Sequence, residues 1–387
     1  MSKVVVLGAT GTIGQVIVKD LVESGVDVIA ADLDLQKLEQ LKMWVNNKIS
    51  IVPLNIKDEE KAKEVFSQGD VCVNSSNYVF NIDVMKIAAA VGVSVLDLGG
   101  LFKRTNEQLK LNEEMKAAGI LSIVGMGSDP GTSNILSRYG VEMLDEAEEI
   151  HIRYGSTTSG VTFAFAIDTI IDEAIKNALV VKDGKLQEIP PLADEEYTVF
   201  HEDIGIQKTY SIIHSELATL PTSFPTVKQI TYKDTWDPET IEKIKMLTTL
   251  GLLEPEPIQI GEETVSPRRQ TVKLMQSVLA NKEKPNWGKD ALLVEVKGVK
   301  NGNKASVKLE IITDYQKEWN VSPTQYATAI PASIVAQMIL KGEVTEKGVK
   351  PPEQCIDPIK FLSYLRDKNV EVYITYSETK KDVAVFA

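Results

Sequence analysis

KVVVLGATGTIGQVIVKDLVESGVDVIAAD, residues 3–32, decides the fold. Lys3–Leu7 carries an apolar run that reads as a buried parallel strand. Gly8-Ala9-Thr10-Gly11-Thr12-Ile13-Gly14 follows at once. An amphipathic helix then runs to about Ser24, Gly25 stops it, and Val26–Ala31 makes a second strand ending in Asp32. Strand, glycine turn, helix, strand and terminal acid are the parts of a dinucleotide-binding unit. Glycine lets the backbone turn sharply and approach a diphosphate, whose charge suits the free N–H groups and dipole of the helix start. Asp32 falls where a carboxylate accepts from both ribose hydroxyls. The next residues, Leu33-Asp34-Leu35, offer no arginine to balance a 2′-phosphate, so NAD is the expected cofactor.

Working outward, the alternation continues. Helices are expected at Leu35–Val45, Asp58–Phe66, Asn81–Val91 and Asn106–Ala118, with strands at Ile49–Pro53, Asp70–Asn74, Val93–Asp97 and Ile120–Val124. Six strands and five helices complete a doubly wound parallel sheet. Ligands in such sheets bind beyond the carboxyl ends of the strands. Those ends hold Gly8, Thr10, Gly11, Thr12 and Ile13, then Asp32, Asn55 with Ile56, and Ser75 with Ser76. Asp97–Gly100 follows the fifth strand and Gly125–Gly131 the sixth.

Past Gly131 the pattern changes. A helix at Thr132–Leu144, with Asp129 as a possible cap and Pro130 near its first turn, leads into strand-like stretches. These recur at Glu149–Tyr154, Tyr210–Ile213, Val227–Tyr232, Leu292–Gly298 and Ala305–Thr313, with a hairpin turn at Lys182–Lys185. This is an α+β region with a largely antiparallel sheet. Helices at Tyr326–Leu340 and Asp357–Asn369 and a strand at Glu371–Tyr376 are expected to pack back on the first domain. The domains read as residues 1–130, completed by about 325–387, and 131–324.

The chain has 387 residues, a net charge of −13, and 43% hydrophobic and 25% charged content. That size exceeds one typical core, and the acidic balance argues against nucleic acid or anionic membrane as the main partner. No secretory signal opens the sequence and no apolar run reaches the roughly 18 residues of a spanning helix, so a cytoplasmic protein is expected. Two cysteines fit that compartment; Cys72 lies within an expected strand and reads as core. No cysteine–histidine spacing suggests a metal.

GATGTIG (8–14), NIDVMKIAAAVGVSVLDLGG (81–100) and GSDPGTSN (127–134) resemble the saccharopine dehydrogenase family, including its lysine 6-dehydrogenase and carboxynorspermidine dehydrogenase branches. DGK (183–185), LGLLEPEPI (250–258), VSP (265–267) and GVKPPE (348–353) extend the likeness over nearly the whole chain. The resemblance implies a two-domain homodimer that oxidises or reduces a C–N bond with a nicotinamide cofactor. It implies an amino-acid or polyamine substrate in the interdomain cleft. Ala305–Thr313 offers a strand that could pair across a two-fold axis.

Amine oxidation needs a base, because a protonated amine cannot release hydride. Asp129 and Asp97 sit where nicotinamide and substrate would meet, and His214 beside Glu216 lies in a segment that lines the cleft in this family. Gly127, Gly99 and Pro130 complete the expected meeting place. Saccharopine-reducing members resemble one another in carrying an arginine near the position of Val227–Tyr232. Here Lys228 is the nearest cation, which favours a smaller substrate such as lysine. Arg153 and Arg268-Arg269 are further candidates for a substrate carboxylate. The glycine turn also looks like that of short-chain dehydrogenases and NmrA-like redox sensors. The Tyr-x-x-x-Lys of the former occurs only at Tyr364–Lys368, too late in the chain.

Overall fold

The computed structural model describes residues 2–158, 167–279 and 285–379. The strands of the first half are β1 (Lys3–Leu7), β2 (Asp27–Asp32), β3 (Ile49–Pro53), β4 (Val71–Asn74), β5 (Ser94–Asp97) and β6 (Leu121–Ile123). Next come β7 (Glu146–Ser156), the hairpin β8 (Ala178–Lys182) and β9 (Lys185–Ile189), β10 (Ala193–Val199), β11 (Ile206–Ser211) and β12 (Gln229–Thr235). A short hairpin, β13 (Ile258–Ile260) and β14 (Glu263–Val265), precedes the long β15 (Lys289–Lys300) and β16 (Asn303–Asp314). The last two are β17 (Gly348–Lys350) and β18 (Glu371–Thr379).

The first sheet is parallel throughout, in the order β17-β6-β5-β4-β1-β2-β3. Its strands are apolar on both faces because helices cover both. Val4 and Val6 pack with the Gly14–Glu23 helix, while Val5, Leu7 and Cys72 pack with the Glu59–Phe66 and Asn81–Val91 helices. Cys72 is a fully buried core thiol. The sheet has seven strands, not the expected six. β17 is a triplet, Gly-Val-Lys, too short to carry a period, and its pairing with β6 comes from the far end of the chain. The expected helix over 106–118 is two, Leu101–Leu109 and Asn112–Ala117, meeting at Lys110-Leu111.

The second sheet runs β10-β11-β12-β7-β15-β16-β18, with β8 also joined to β12 and β9 to β8. Only the β12–β7 pair is parallel. Alternation sets its faces. Ile150, Ile152 and Tyr154 of β7 and Ile230, Tyr232 and Asp234 of β12 share the face turned to the first sheet, while His151, Arg153, Thr231 and Lys233 share the other. β16 is paired on both sides, so Ala305–Thr313 is not the open edge expected of a two-fold pairing strand; β18, β10 and, on the side branch, β9 are the outer strands. β18 joins this sheet rather than the first, whereas β17 and the Pro323–Leu340 helix do return to the first.

The Pro323–Leu340 helix is apolar on nearly every side and is buried between the two layers. Ser322 caps it, with Gln325 completing the capping box. The Gln325 amide donates to the Thr12 carbonyl of the glycine turn at 3.2 Å, and Thr324 Oγ1 donates to Asp290 of β15 at 2.6 Å. One helix thus fixes the cofactor turn relative to the second sheet. No described helix is long and apolar enough to cross a membrane.

Candidate active site

The glycine turn is built to be approached. Gly8 has φ +74°, and a Cβ there would lie 2.7 Å from the Ser76 nitrogen. A Cβ on Gly14 would sit 2.2 Å from the Gly8 carbonyl oxygen, so backbone fills the space a side chain needs. Ser75 Oγ donates to the Leu7 carbonyl at 2.8 Å and clamps the turn to β4. Asp32 accepts from the Thr10 amide at 2.9 Å, from Thr10 Oγ1 at 2.7 Å and from the Leu33 amide at 2.7 Å. A carboxylate has about four lone-pair sites, so acceptor capacity remains at the lip of the turn. The amides of Thr12 and Ile13 have no acceptor among the described residues, and no side chain caps the helix that follows. A cradle of free N–H groups beside a carboxylate fits the diphosphate and ribose of a nicotinamide dinucleotide. Ser76 bonds Asn74 at the end of β4, and Asn55 with Ile56 lies beyond β3, Asn55 exposed and Ile56 partly so.

Beyond β6 lies the chemistry. The half-buried Asp129 accepts a hydrogen bond from the Tyr232 hydroxyl of β12. The Tyr232 ring stacks on His214, with centroids 3.9 Å apart and planes within 3°. His214 Nδ1 pairs with Glu216, whose other oxygen accepts from Ser133 Oγ at 2.7 Å. Glu173, on the Ile167–Ile175 helix, and Asp234, two residues along β12 from Tyr232, complete the group by charge. A parallel pair backs it, Tyr154 donating to Asp290.

Electrostatics make these groups unlike surface ones. Burial, with Glu216 adding like charge, pushes Asp129 up to about 6, against the opposing pull of His214 and the Tyr232 hydroxyl. Burial alone would lower His214, but Glu216, Asp129 and Glu173 outweigh it and raise the imidazole to about 9. Burial and the carboxylates of Asp129, Asp172 and Glu216 lift Glu173 to about 8. Asp234 is raised by burial and by Asp129 and Glu173. Near neutrality the arrangement is an ionised Asp129 next to a protonated His214. That is a base within reach of a proton donor.

Several expectations are corrected. Asp129 does not cap the helix after it: the helix is Thr132–Met143, capped at Gly131, whose amide donates to Asn134 Oδ1 at 3.0 Å. Pro130 therefore precedes the helix rather than forming its first turn. The amides of Gly127, Thr132 and Ser133 bond to carbonyls within the loop. Asp97 is not poised as an acid or base. Its carboxylate accepts from Gly99 N at 2.8 Å, Gly125 N at 3.1 Å and Gln108 Nε2 at 2.6 Å, which ties the ends of β5 and β6 together. Gly99 lies against Pro130 and Ser215, inside that same junction. Lys228 is exposed at the start of β12, with Glu148 at 3.6 Å, and takes no part in the group. Arg153 is on the outer face of the second sheet with Glu196, and Arg268 is held by Asp168 and Asp172.

Asp129, His214 and Glu216 do come together. Sequence reasoning missed Tyr232, Glu173, Asp234 and Ser133. A signal existed for two of them: Tyr232 and Asp234 keep the period of the buried face of β12, and Glu173 stands on an apolar helix stripe with Ile170 and Ala174. Among the described residues no group of three or more His, Cys, Asp or Glu is arranged to hold a metal ion.

Comparison with known proteins assigns the family. Residues 4–123 match the family description "Saccharopine dehydrogenase NADP binding domain" and residues 127–370 match "Saccharopine dehydrogenase C-terminal domain". The chain is 24% identical to carboxyaminopropylagmatine dehydrogenase of a Synechocystis species over 386 residues, 94% of this chain and 95% of the relative. It is 24% identical to carboxynorspermidine synthase of Vibrio alginolyticus over 341 residues, 83% of this chain and 80% of the relative. Saccharopine dehydrogenase (L-Glu forming) of Saccharomyces cerevisiae has the same fold, with a TM-score of 0.75 at 14% identity over 98% of this chain and 100% of that one. With both halves matched in order, the chain belongs to the saccharopine dehydrogenase family.

Proposed function

We propose that this protein is an NAD-preferring oxidoreductase that makes or breaks the C–N bond of a carboxylated polyamine. The observation that carries this reading is the gathering of Asp129, Glu173, Glu216 and Asp234 around His214 beyond the end of β6. Carboxyl groups gathered in one place suit a cationic amine and disfavour an anion. The printed names of the relatives, a carboxyaminopropylagmatine dehydrogenase and a carboxynorspermidine synthase, point to the same substrate chemistry. Lysine is the substrate favoured from sequence because no arginine stands near Val227–Tyr232; Lys228, the nearest cation there, lies at the surface.

The Gly8–Ile13 turn and Asp32 would hold a nicotinamide dinucleotide, which would supply hydride transfer. The chain's own residues do the rest. Asp129 holds the substrate ammonium and removes its proton before the C–N bond is oxidised, and returns it in reduction. Tyr232 and Ser128 hold the Asp129 carboxylate by hydrogen bonds, and His214, stacked beneath Tyr232, sets the angle of that ring. Glu216 and Ser133 fix His214 in turn.

Asp32 supports NAD over NADP, since a 2′-phosphate would meet its charge. Carboxynorspermidine incubated with the protein is expected to reduce NAD with a kcat/KM at least about tenfold above that for NADP, as a lost or repelled charged contact implies. Absorbance of the reduced nicotinamide reads both. Absence of turnover with this and with other amines overturns the function, and a preference for NADP overturns the cofactor assignment.

A homodimer is part of the proposal. The edge strands expose apolar side chains, Tyr197 and Val199 on β10 and Ile374 and Tyr376 on β18, where pairing or packing would cover them. Light scattering at micromolar concentration is expected to give twice the chain mass of 42.7 kDa.

A further inference from the structure

The segments that carry Asp129 and His214 are joined by a polar seam that ends on a residue far along the chain. The Glu216–Ser223 helix has only eight residues, contains Pro221 and has no side-chain cap among the described residues. So short a helix has little stability of its own, and its side-chain anchors decide where it lies. Glu216, Thr219 and Ser223 follow one another at steps of three and four residues and share one face. Ser133 Oγ donates to Glu216 at 2.7 Å, Asn134 Nδ2 to Thr219 Oγ1 at 3.1 Å, and Ser223 Oγ to Glu353 Oε1 at 2.8 Å. The other Glu353 oxygen accepts from Asn134 Nδ2 at 2.9 Å. Asn134 Oδ1 accepts from the amide of Gly131, two residues past Asp129.

We infer that Glu353 is a positioning residue for the site: through Asn134 it holds the Asp129–Gly131 loop, and through Ser223 it holds the helix whose first residue, Glu216, pairs with His214. An asparagine amide can point either way, and its neighbours choose. A hydroxyl such as that of Thr219 takes either role, so the acceptor-only carboxylate of Glu353 is what turns Nδ2 outward and leaves Oδ1 for Gly131. Asn134 and Glu353 are both buried, so a partner lost here leaves an unsatisfied group rather than one rescued by bulk water. The backbone beside Glu353 is fixed separately, because Arg138 Nη1 donates to the carbonyls of Glu353 at 3.4 Å and Ile356 at 3.1 Å. The carboxylate can therefore be changed while the segment stays in place. That Asp129 and His214 are the groups being positioned rests on the proposed reaction, but where His214 titrates can be read without turnover.

The experiment compares Glu353→Met, which removes both acceptors at similar length, with Glu353→Gln, which keeps an acceptor for Asn134 and turns its amide to the Ser223 hydroxyl. The first readout is the NMR titration of the His214 imidazole in the full chain, with His151→Gln and His201→Gln assigning the other two histidine signals. Glu216, Asp129 and Glu173 are the charged groups that face His214. As Glu216 withdraws in Glu353→Met, the imidazolium is expected to become at least about tenfold more acidic. The second readout is kcat/KM for oxidation of carboxynorspermidine, expected to fall at least about tenfold, in kcat and not in the KM for NAD. Glu353→Gln should restore the His214 titration and bring kcat/KM within about threefold of the unaltered protein. A Glu353 that serves stability alone would lower the melting temperature and move neither readout, and that result overturns the inference. Equal impairment in both variants overturns it too. Should Glu353→Met fail to fold, Ser223→Ala, which removes one anchor from a half-buried position, is expected to move the His214 titration the same way, and an unmoved titration overturns the inference. A displaced titration in a protein that turns over no amine upholds the positioning and removes the proposed reaction. Turnover with both readouts unmoved in Glu353→Met does the reverse.

Discussion

Asp129→Asn is expected to lower kcat/KM for amine oxidation by about 10²-fold to 10⁴-fold, the span that removing a positioned general base covers. The fold should survive. Asp129 does not cap the helix that follows, and Asn can still accept from the Tyr232 hydroxyl. The pH profile separates a base from a mere contact. Asp129, raised by burial to about 6, is protonated and idle below that value, so kcat/KM for oxidation rises with pH through about 6. The asparagine variant should lose that limb. A variant with near-normal kcat/KM, or with the limb intact, would return the role to His214 or Glu173.

The second large effect is on stability. Glu216→Gln leaves His214 buried without its counter-charge. Removing one partner of a buried ion pair typically costs about 3–5 kcal/mol. The net shift of the imidazole from 6.5 to about 9 corresponds to about 3 kcal/mol, shared by Glu216 with Asp129 and Glu173 and opposed by burial, which puts the loss of Glu216 at the lower end of that range. The direction with pH follows from a folded value above the unfolded one. The stabilisation is complete below 6.5 and fades as pH rises through about 9. Urea denaturation should show the variant weakened by about 3 kcal/mol at pH 6 and by much less at pH 9.5. A deficit that is equal at both values would mean that packing, not charge, holds the Glu216 site.

The first sheet was legible because its cues are local. Each strand is a short apolar run, each helix has a stop such as Gly25 or Gly92, and the order of elements fixes the winding. β17 was not legible: its pairing with β6 is a long-range contact between residues that carry no period. The site divides along the same line. Asp129, His214 and Glu216 stood out as polar residues beside motifs. Tyr232 is an ordinary residue of a strand until the chain folds it onto Asp129. Asp97 misled for a physical reason. An aspartate after β5 looks the same in sequence whether it opens on a cleft or, as here, receives three donors that lock two loops.

The late return of β17 bears on how the protein comes into being. During translation β1 to β6 leave the ribosome as a nearly complete sheet, yet the edge of β6 stays bare until residues 348–350 have been made. The buried Pro323–Leu340 helix, which covers the face holding Val4 and Val6, is also made late. The nascent N-terminal half must therefore wait with an unpaired edge and an uncovered apolar face, the features that invite aggregation. A chain interrupted between β6 and Pro323 carries the whole cofactor turn but neither the edge partner of β6 nor the helix that covers its face, so truncated products should depend on chaperones far more than the full chain does.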